Sequence, residues 1–310
     1  MINLVESKKS FNGFQKVFKH ESSSNKSLMH FAVYEPDISK NCPVLYFLSG
    51  LTCTEQNFIQ KSGFQQFASN YKIAVVVPDT SPRGKDIPDS DDFKLGQGAG
   101  FYINATNDVW SINYNMYDYI VKELTEIIDK NFNFSKTQIG IFGHSMGGGG
   151  AIQCALKNPK YFKSLSAFSP ICSLYKSDFA KLALKNYLNN DSNLINSFDP
   201  MYLLKEQKIL FDNILIDVGL KDEFINDLFI DEFVNECDKI GQKTNFRKHL
   251  DFGHDYYFIQ SFIEDHFDFH SNILNFGKSK GVPQEKEGSK REEKTIQDKN
   301  EAKVFKVRPR

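Results

Sequence analysis

The chain has 310 residues, 40% hydrophobic and 14% aromatic, with a formal net charge of −1, which gives ample apolar material for one large domain or two small ones. Residues 1–276 carry 27 basic against 33 acidic side chains, and so acidic a body argues against nucleic acid as a partner. Five scattered cysteines with no C-x-x-C pair exclude a disulfide framework or a zinc site and point to a reducing compartment.

The N-terminal stretch MINLVESKKSFNG lacks the apolar core of a secretion signal, and no run of apolar residues reaches membrane-spanning length. The expected location is therefore cytoplasmic, with no membrane partner. Residues 29–35 and Val44–Leu48 read as strands, the first half-exposed and the second buried. Thr54 is a candidate helix N-cap ahead of Phe58, Ile59, Phe64 and Phe67. Ile73–Val77 is an almost purely β-branched strand closed by Pro78 and Asp79.

Residues 80–113 are rich in Gly, Pro, Asp and Asn without periodicity. A loop that long in a compact domain is functional or disordered, and Phe101, Tyr102 and Trp110 argue against disorder, so it is expected to cover a site. Met116–Phe132 has the apolar stripe of an amphipathic helix. Strands are expected at 163–168, 213–218 and 244–250, and helices at 226–240 and 257–274, with a helical, irregular stretch over 173–210. Alternating strands and helices predict an α/β fold with a mainly parallel central sheet and helices on both faces. The catalytic domain is expected to span residues 1–276. Beyond it, 277–310 carries 11 basic against 6 acidic residues and reads as a charged, solvated tail.

The stretch Ile139–Ile152, IGIFGHSMGGGGAI, organises the chain. An apolar strand runs into Gly143, Ser145 and Gly147 at G-x-S-x-G spacing, and a helical stripe follows. This is the strand, turn and helix of a nucleophile elbow in an α/β-hydrolase. A serine hydroxyl is a weak nucleophile and needs a base, which a third group must orient. In this fold the acid and then the histidine follow the serine along the chain, on loops after later strands. Of His249, His254, His266 and His270, only His254 lies in a turn between strand and helix. His249 falls within a strand, while His266 and His270, one helical turn apart, read as surface or packing residues. For the acid, Asp217 falls inside a strand, whereas Asp222 follows a glycine turn beyond its end and is preferred, with Glu223 as fallback. The oxyanion donors in such a fold are backbone N–H groups, here of Met146 and of Leu51 within Ser49-Gly50-Leu51.

The segments FLSGLTCTEQNF, PDTSPRG, GAGFY, IFGHSMGGGGA, ALKNP and SAFSPIC, with the stretch from His254 to Ile259, together resemble the S-formylglutathione hydrolases, or esterase D family, over residues 4–274. The resemblance implies the triad Ser145, Asp222 and His254. It also implies hydrolysis of S-formylglutathione to glutathione and formate in formaldehyde detoxification, no cofactor or metal, and a homodimer. Two positions depart from the family pattern: Gly149 replaces a histidine, and Gly253 replaces an acidic residue, with Asp255 following instead. In the family, the cysteine corresponding to Cys53 lies near the serine, so Cys53 is either a pocket wall or a small buried hydrophobe. Trp110 either walls the pocket or packs in the core. The alternatives to this activity are a general short-chain carboxylesterase and a catalytically silent binding protein of the same fold.

Overall fold

The computed structural model describes residues 1–37, 41–207 and 211–274, and the expected tail over 277–310 lies outside them. Nine strands form one sheet: β1 (Asn3–Lys9), β2 (Gly13–Glu21), β3 (Leu28–Pro36), β4 (Cys42–Leu48), β5 (Ala74–Pro78), β6 (Phe134–His144), β7 (Ser164–Phe168), β8 (Ile214–Gly219) and β9 (Thr244–His249). Their order is β1-β2-β3-β5-β4-β6-β7-β8-β9. The pairs from β5 through β4 to β9 are parallel, and those joining β1, β2, β3 and β5 are antiparallel.

The central strands are apolar throughout because both of their faces are covered. On β4, Val44, Tyr46 and Leu48 join one core while Leu45 and Phe47 join the other, and on β5, Val76 and Val75 divide in the same way. The first core packs under α4 (Thr125–Asn131), α5 (Met146–Lys157), α6 (Asp178–Leu188) and α10 (Ile230–Ile240). The second packs under α1 (Glu55–Lys61), α2 (Gln65–Tyr71) and α11 (Tyr256–Leu274). Each Val, Leu, Ile or Phe so buried contributes about 1.5–3 kcal/mol before entropy is counted. Thr54 caps α1 as expected: its Oγ1 accepts from Gln56 N–H, and Asn57 Oδ1 accepts from the Thr54 N–H, a reciprocal cap of the kind that is worth about 1 kcal/mol.

Several elements differ from expectation. β1 and β2 had no clear sequence signal, since β1 is exposed along nearly its whole length and β2 buries the adjacent Val17 and Phe18. Nine residue pairs with β3 make β2 a strand. The single helix expected over 116–132 is α3 (Met116–Asp118), a π-helical turn at Tyr119–Leu124, and α4. The helix expected at 226–240 breaks into α9 (Ile225–Leu228) and α10 at Phe229, whose φ is +55°. The irregular stretch over 173–210 holds α6, α7 (Ser192–Asn196) and α8 (Pro200–Lys205).

Of the surface and packing readings of His266 and His270, packing holds: both are fully buried where α11 crosses the sheet. Ser166 Oγ lies 2.8 Å from His266 Nδ1 and 2.8 Å from His270 Nε2, and Ser164 Oγ lies 2.6 Å from His270 Nδ1. His266 Nε2 reaches Asp217, whose carboxylate also accepts from Arg247 Nε at 2.7 Å. Burial pushes the pKa of both histidines down; in His266 the nearby Asp217 offsets this only in part. His144 is lowered likewise by burial and by His254. Because the folded values lie below the unfolded ~6.5, this contribution to stability is complete above that pH and is lost as pH falls beneath it, by up to about 1.4 kcal/mol per unit for each histidine. The urea midpoint is therefore expected to drop between pH 7.5 and pH 5.5; a level midpoint would contradict the buried neutral histidines.

Candidate active site

β6 ends at His144 and α5 begins at Met146, leaving Ser145 alone on the turn with φ +59° and ψ −122°. A non-glycine residue there costs on the order of 1–3 kcal/mol. The surroundings hold it: Ser145 N–H donates to the Phe168 carbonyl at 3.0 Å, and its own carbonyl accepts from Gly149 and Ile171 at 3.0 and 3.1 Å. Gly147 is required by close approach, since a Cβ there would lie 2.0 Å from the Leu48 carbonyl oxygen and 2.4 Å from that of Ser49. Gly149, where the family pattern has histidine, is equally confined: its Cβ would meet the Ile171 carbonyl oxygen at 2.3 Å.

His254 follows β9 and Asp222 follows β8, so both stand with Ser145 at the carboxyl ends of parallel strands, where open α/β sheets bind ligands. His254 Nδ1 donates to Asp222 Oδ2 at 2.7 Å. A carboxylate only accepts, so the contact fixes the proton on Nδ1 and leaves Nε2 with its lone pair free to accept a proton. Asp222 Oδ1 accepts from Phe224 N–H at 2.9 Å. Burial alone would raise this carboxyl, but the hydrogen bond and charge of His254, together with hydrogen bonds from Ser169 and Phe224, more than offset it, and the net shift is downward. Asp217 is in the strand, as expected, and bound to Arg247, whereas Glu223 is exposed. Asp255, the family departure beside Gly253, has a local role: its Oδ1 accepts from Tyr257 and Phe258 N–H at 2.9 and 3.2 Å, capping α11.

The loop after β4 carries Gly50, Leu51, Thr52 and Cys53 into the wall of a cavity of about 300 Å³ that Ser145 and His254 also line. Met146 is the first residue of α5, so its N–H is among the four that a helix leaves without an intrahelical acceptor. The loop is braced from outside. Tyr102 O–H donates to the Ser49 carbonyl at 2.8 Å, Thr52 N–H donates to Gly98 at 2.9 Å, and Arg83 Nη2 donates to the Cys53 carbonyl at 2.9 Å. Arg83 is itself held by Asp79, whose buried carboxyl is pushed up to about 6, with Arg83 opposing the rise. The PDTSPRG segment thus supports the loop that carries Leu51 and Cys53, a role its sequence did not disclose.

Cys53 lines the cavity, but Trp110 does not. Trp110 is 7% exposed and packs edge-on against Tyr114 and Tyr187, at 5.0 and 5.2 Å between centroids. The two tyrosines are themselves stacked, 5.1 Å between centroids, and the indole is spent packing edge-on against that pair. The aromatic that the 80–113 loop does give to the cavity is Phe93, joined by Phe179, Phe224, Leu228 and Tyr256. None of these was marked by spacing or motif except Tyr256, which lies in the His254–Ile259 stretch. His144 also lines it, with its ring 4.5 Å from that of His254 and a buried Nε2 without a hydrogen-bond partner. Among the described residues no cluster of three or more His, Cys, Asp or Glu is placed to hold a metal ion, and no helix is long and apolar enough to cross a membrane.

Known proteins agree with this architecture. A family model described as "Putative esterase" matches residues 22–269. The S-formylglutathione hydrolase of Bos taurus is 47% identical over 276 residues, covering 87% of this chain and 98% of its own, and that of Mus musculus is 46% identical with the same coverage. A solved S-formylglutathione hydrolase from Agrobacterium tumefaciens superposes with a TM-score of 0.86 at 41% identity, over 88% of this chain and 99% of its own. The chain belongs to the S-formylglutathione hydrolase family of esterases.

Proposed function

We propose that this chain hydrolyses S-formylglutathione to glutathione and formate through Ser145, His254 and Asp222. The observation that carries the reading is the 2.7 Å contact of His254 with Asp222 beside a cavity that Ser145 shares. Ser145 Oγ attacks the thioester carbonyl carbon while His254 Nε2 takes its proton, and Asp222 steadies the imidazolium that results. The N–H groups of Leu51 and Met146 hold the oxyanion, each worth on the order of 10²–10³ in rate. The C–S bond then breaks. Glutathione departs as a good leaving group, its thiol having a pKa of roughly 8.5, and takes the proton from His254. Water, activated by the same imidazole, releases formate from formyl-Ser145. No step requires a cofactor. A reducing cytoplasm and a homodimer are the proposed setting; the thiols Cys53, Cys154, Cys172 and Cys237, none in a disulfide, fit the first.

A formyl group presents a single hydrogen beyond the carbonyl, so the acyl side of the site gains nothing from longer chains. Across formyl, acetyl, propionyl and butyryl glutathione, kcat/KM is expected to fall about tenfold per added carbon, the scale at which a close-fitting pocket discriminates a methylene. A flat series would contradict a formyl-specific pocket.

A further inference from the structure

A second cleft, of about 470 Å³, adjoins the catalytic cavity, and Tyr256 lines both. Its other walls are Lys61, Asp255, Tyr257 and Gln260, from the end of α1 and the start of α11. The two cavities differ in chemistry. Among the described residues no lysine or arginine lines the catalytic one, whose walls are mainly apolar and aromatic. The second has one cation, Lys61, and one anion, Asp255, among its walls. The Lys61 ammonium stands 5.7 Å from the centroid of the Tyr256 ring and makes no ion pair among the described residues. Asp255 uses Oδ1 to cap α11, and its Oδ2 makes no hydrogen bond among them.

The leaving group in the proposed reaction is a tripeptide with two carboxylates and one ammonium, and its sulfur sits on the central residue. At ~3.5 Å per residue, either end lies roughly 7–9 Å from that sulfur. The catalytic cavity offers those charges no partner, whereas the adjoining cleft begins one tyrosine away.

We propose that this cleft is the subsite for the glutathione part of the substrate, an inference that rests on the reading given under Proposed function. Lys61 pairs with a terminal carboxylate of the tripeptide, the neighbouring Asp255 Oδ2 accepts from the γ-glutamyl ammonium, and Tyr256 forms the floor between charge recognition and chemistry. Lys61 is exposed, so its pairing is screened by salt, and its effect falls on substrate binding more than on the acyl transfer step.

The test compares S-formylglutathione with an uncharged thioester, S-formyl-N-acetylcysteamine, in the wild type, Lys61→Ala, Lys61→Glu and Lys61→Arg. Lys61→Ala is expected to lower the preference for S-formylglutathione about tenfold, through KM with kcat within about twofold. Lys61→Glu should lower it further and Lys61→Arg restore most of it, and the wild-type preference should shrink as ionic strength rises. A wild-type preference that persists in Lys61→Ala and Lys61→Glu would overturn the subsite while leaving the proposed activity intact. A wild type that does not prefer the glutathione thioester at all would overturn both.

Discussion

Ser145→Ala is expected to lower kcat on S-formylglutathione by about 10⁶ without unfolding the chain, leaving a residue of roughly 10³–10⁴ over the uncatalysed rate. The serine's φ of +59° is stabilised through its backbone, by bonds to Phe168, Gly149 and Ile171, and alanine keeps all three. What disappears is the covalent route. The residue that remains belongs to the loop at Leu51 and the start of α5, which still polarise the carbonyl. Steady-state kinetics with a matched thermal melt check both halves: a loss below a hundredfold would remove Ser145 as nucleophile, and a collapsed melt would mean that the hydroxyl is structural.

Asp222→Asn should cost about 10⁴ in kcat, for a different reason. Asn Oδ1 can still accept from Phe224 N–H, so the turn after β8 survives. Its amide, however, donates toward His254 Nδ1 where the carboxylate accepted, favouring the tautomer with its proton on Nε2, the nitrogen proposed as the base. The net downward shift of Asp222 means that it stays charged through neutral pH, so the deficit should not be recovered by moving toward pH 6. A loss of less than tenfold would transfer the orienting role away from Asp222, with Glu223 the nearest acidic alternative along the chain.

The proposed triad positions could be read from the sequence because the fold orders its catalytic residues along the chain and each proposed residue stands where a strand pattern stops. Asp222 could be separated from Asp217 by one glycine turn, and His254 from three other histidines by its place between strand and helix. Depth was harder to read. His266 and His270, at i and i+4 on an aromatic-rich helix, give the same signal whether they face water or the seryl side chains of β7. Trp110 and Phe93 lie in one aperiodic loop, where nothing local says which ring turns toward the cavity; contacts with Tyr187, some 77 residues away in sequence, decide it. β1 and β2 owe their strand structure to pairing across the sheet and not to local pattern. Backbone support such as that from Arg83 to the Cys53 carbonyl is invisible to any reading of side-chain spacing.

The direct measurement is kcat/KM of the purified chain on S-formylglutathione beside an aryl acetate of similar intrinsic reactivity. The account predicts a thioester value at least a hundredfold higher. Equal values on both substrates would contradict it and make the chain a general short-chain carboxylesterase, and no turnover of either, with no labelling of Ser145 by a fluorophosphonate, would leave a catalytically silent member of the fold.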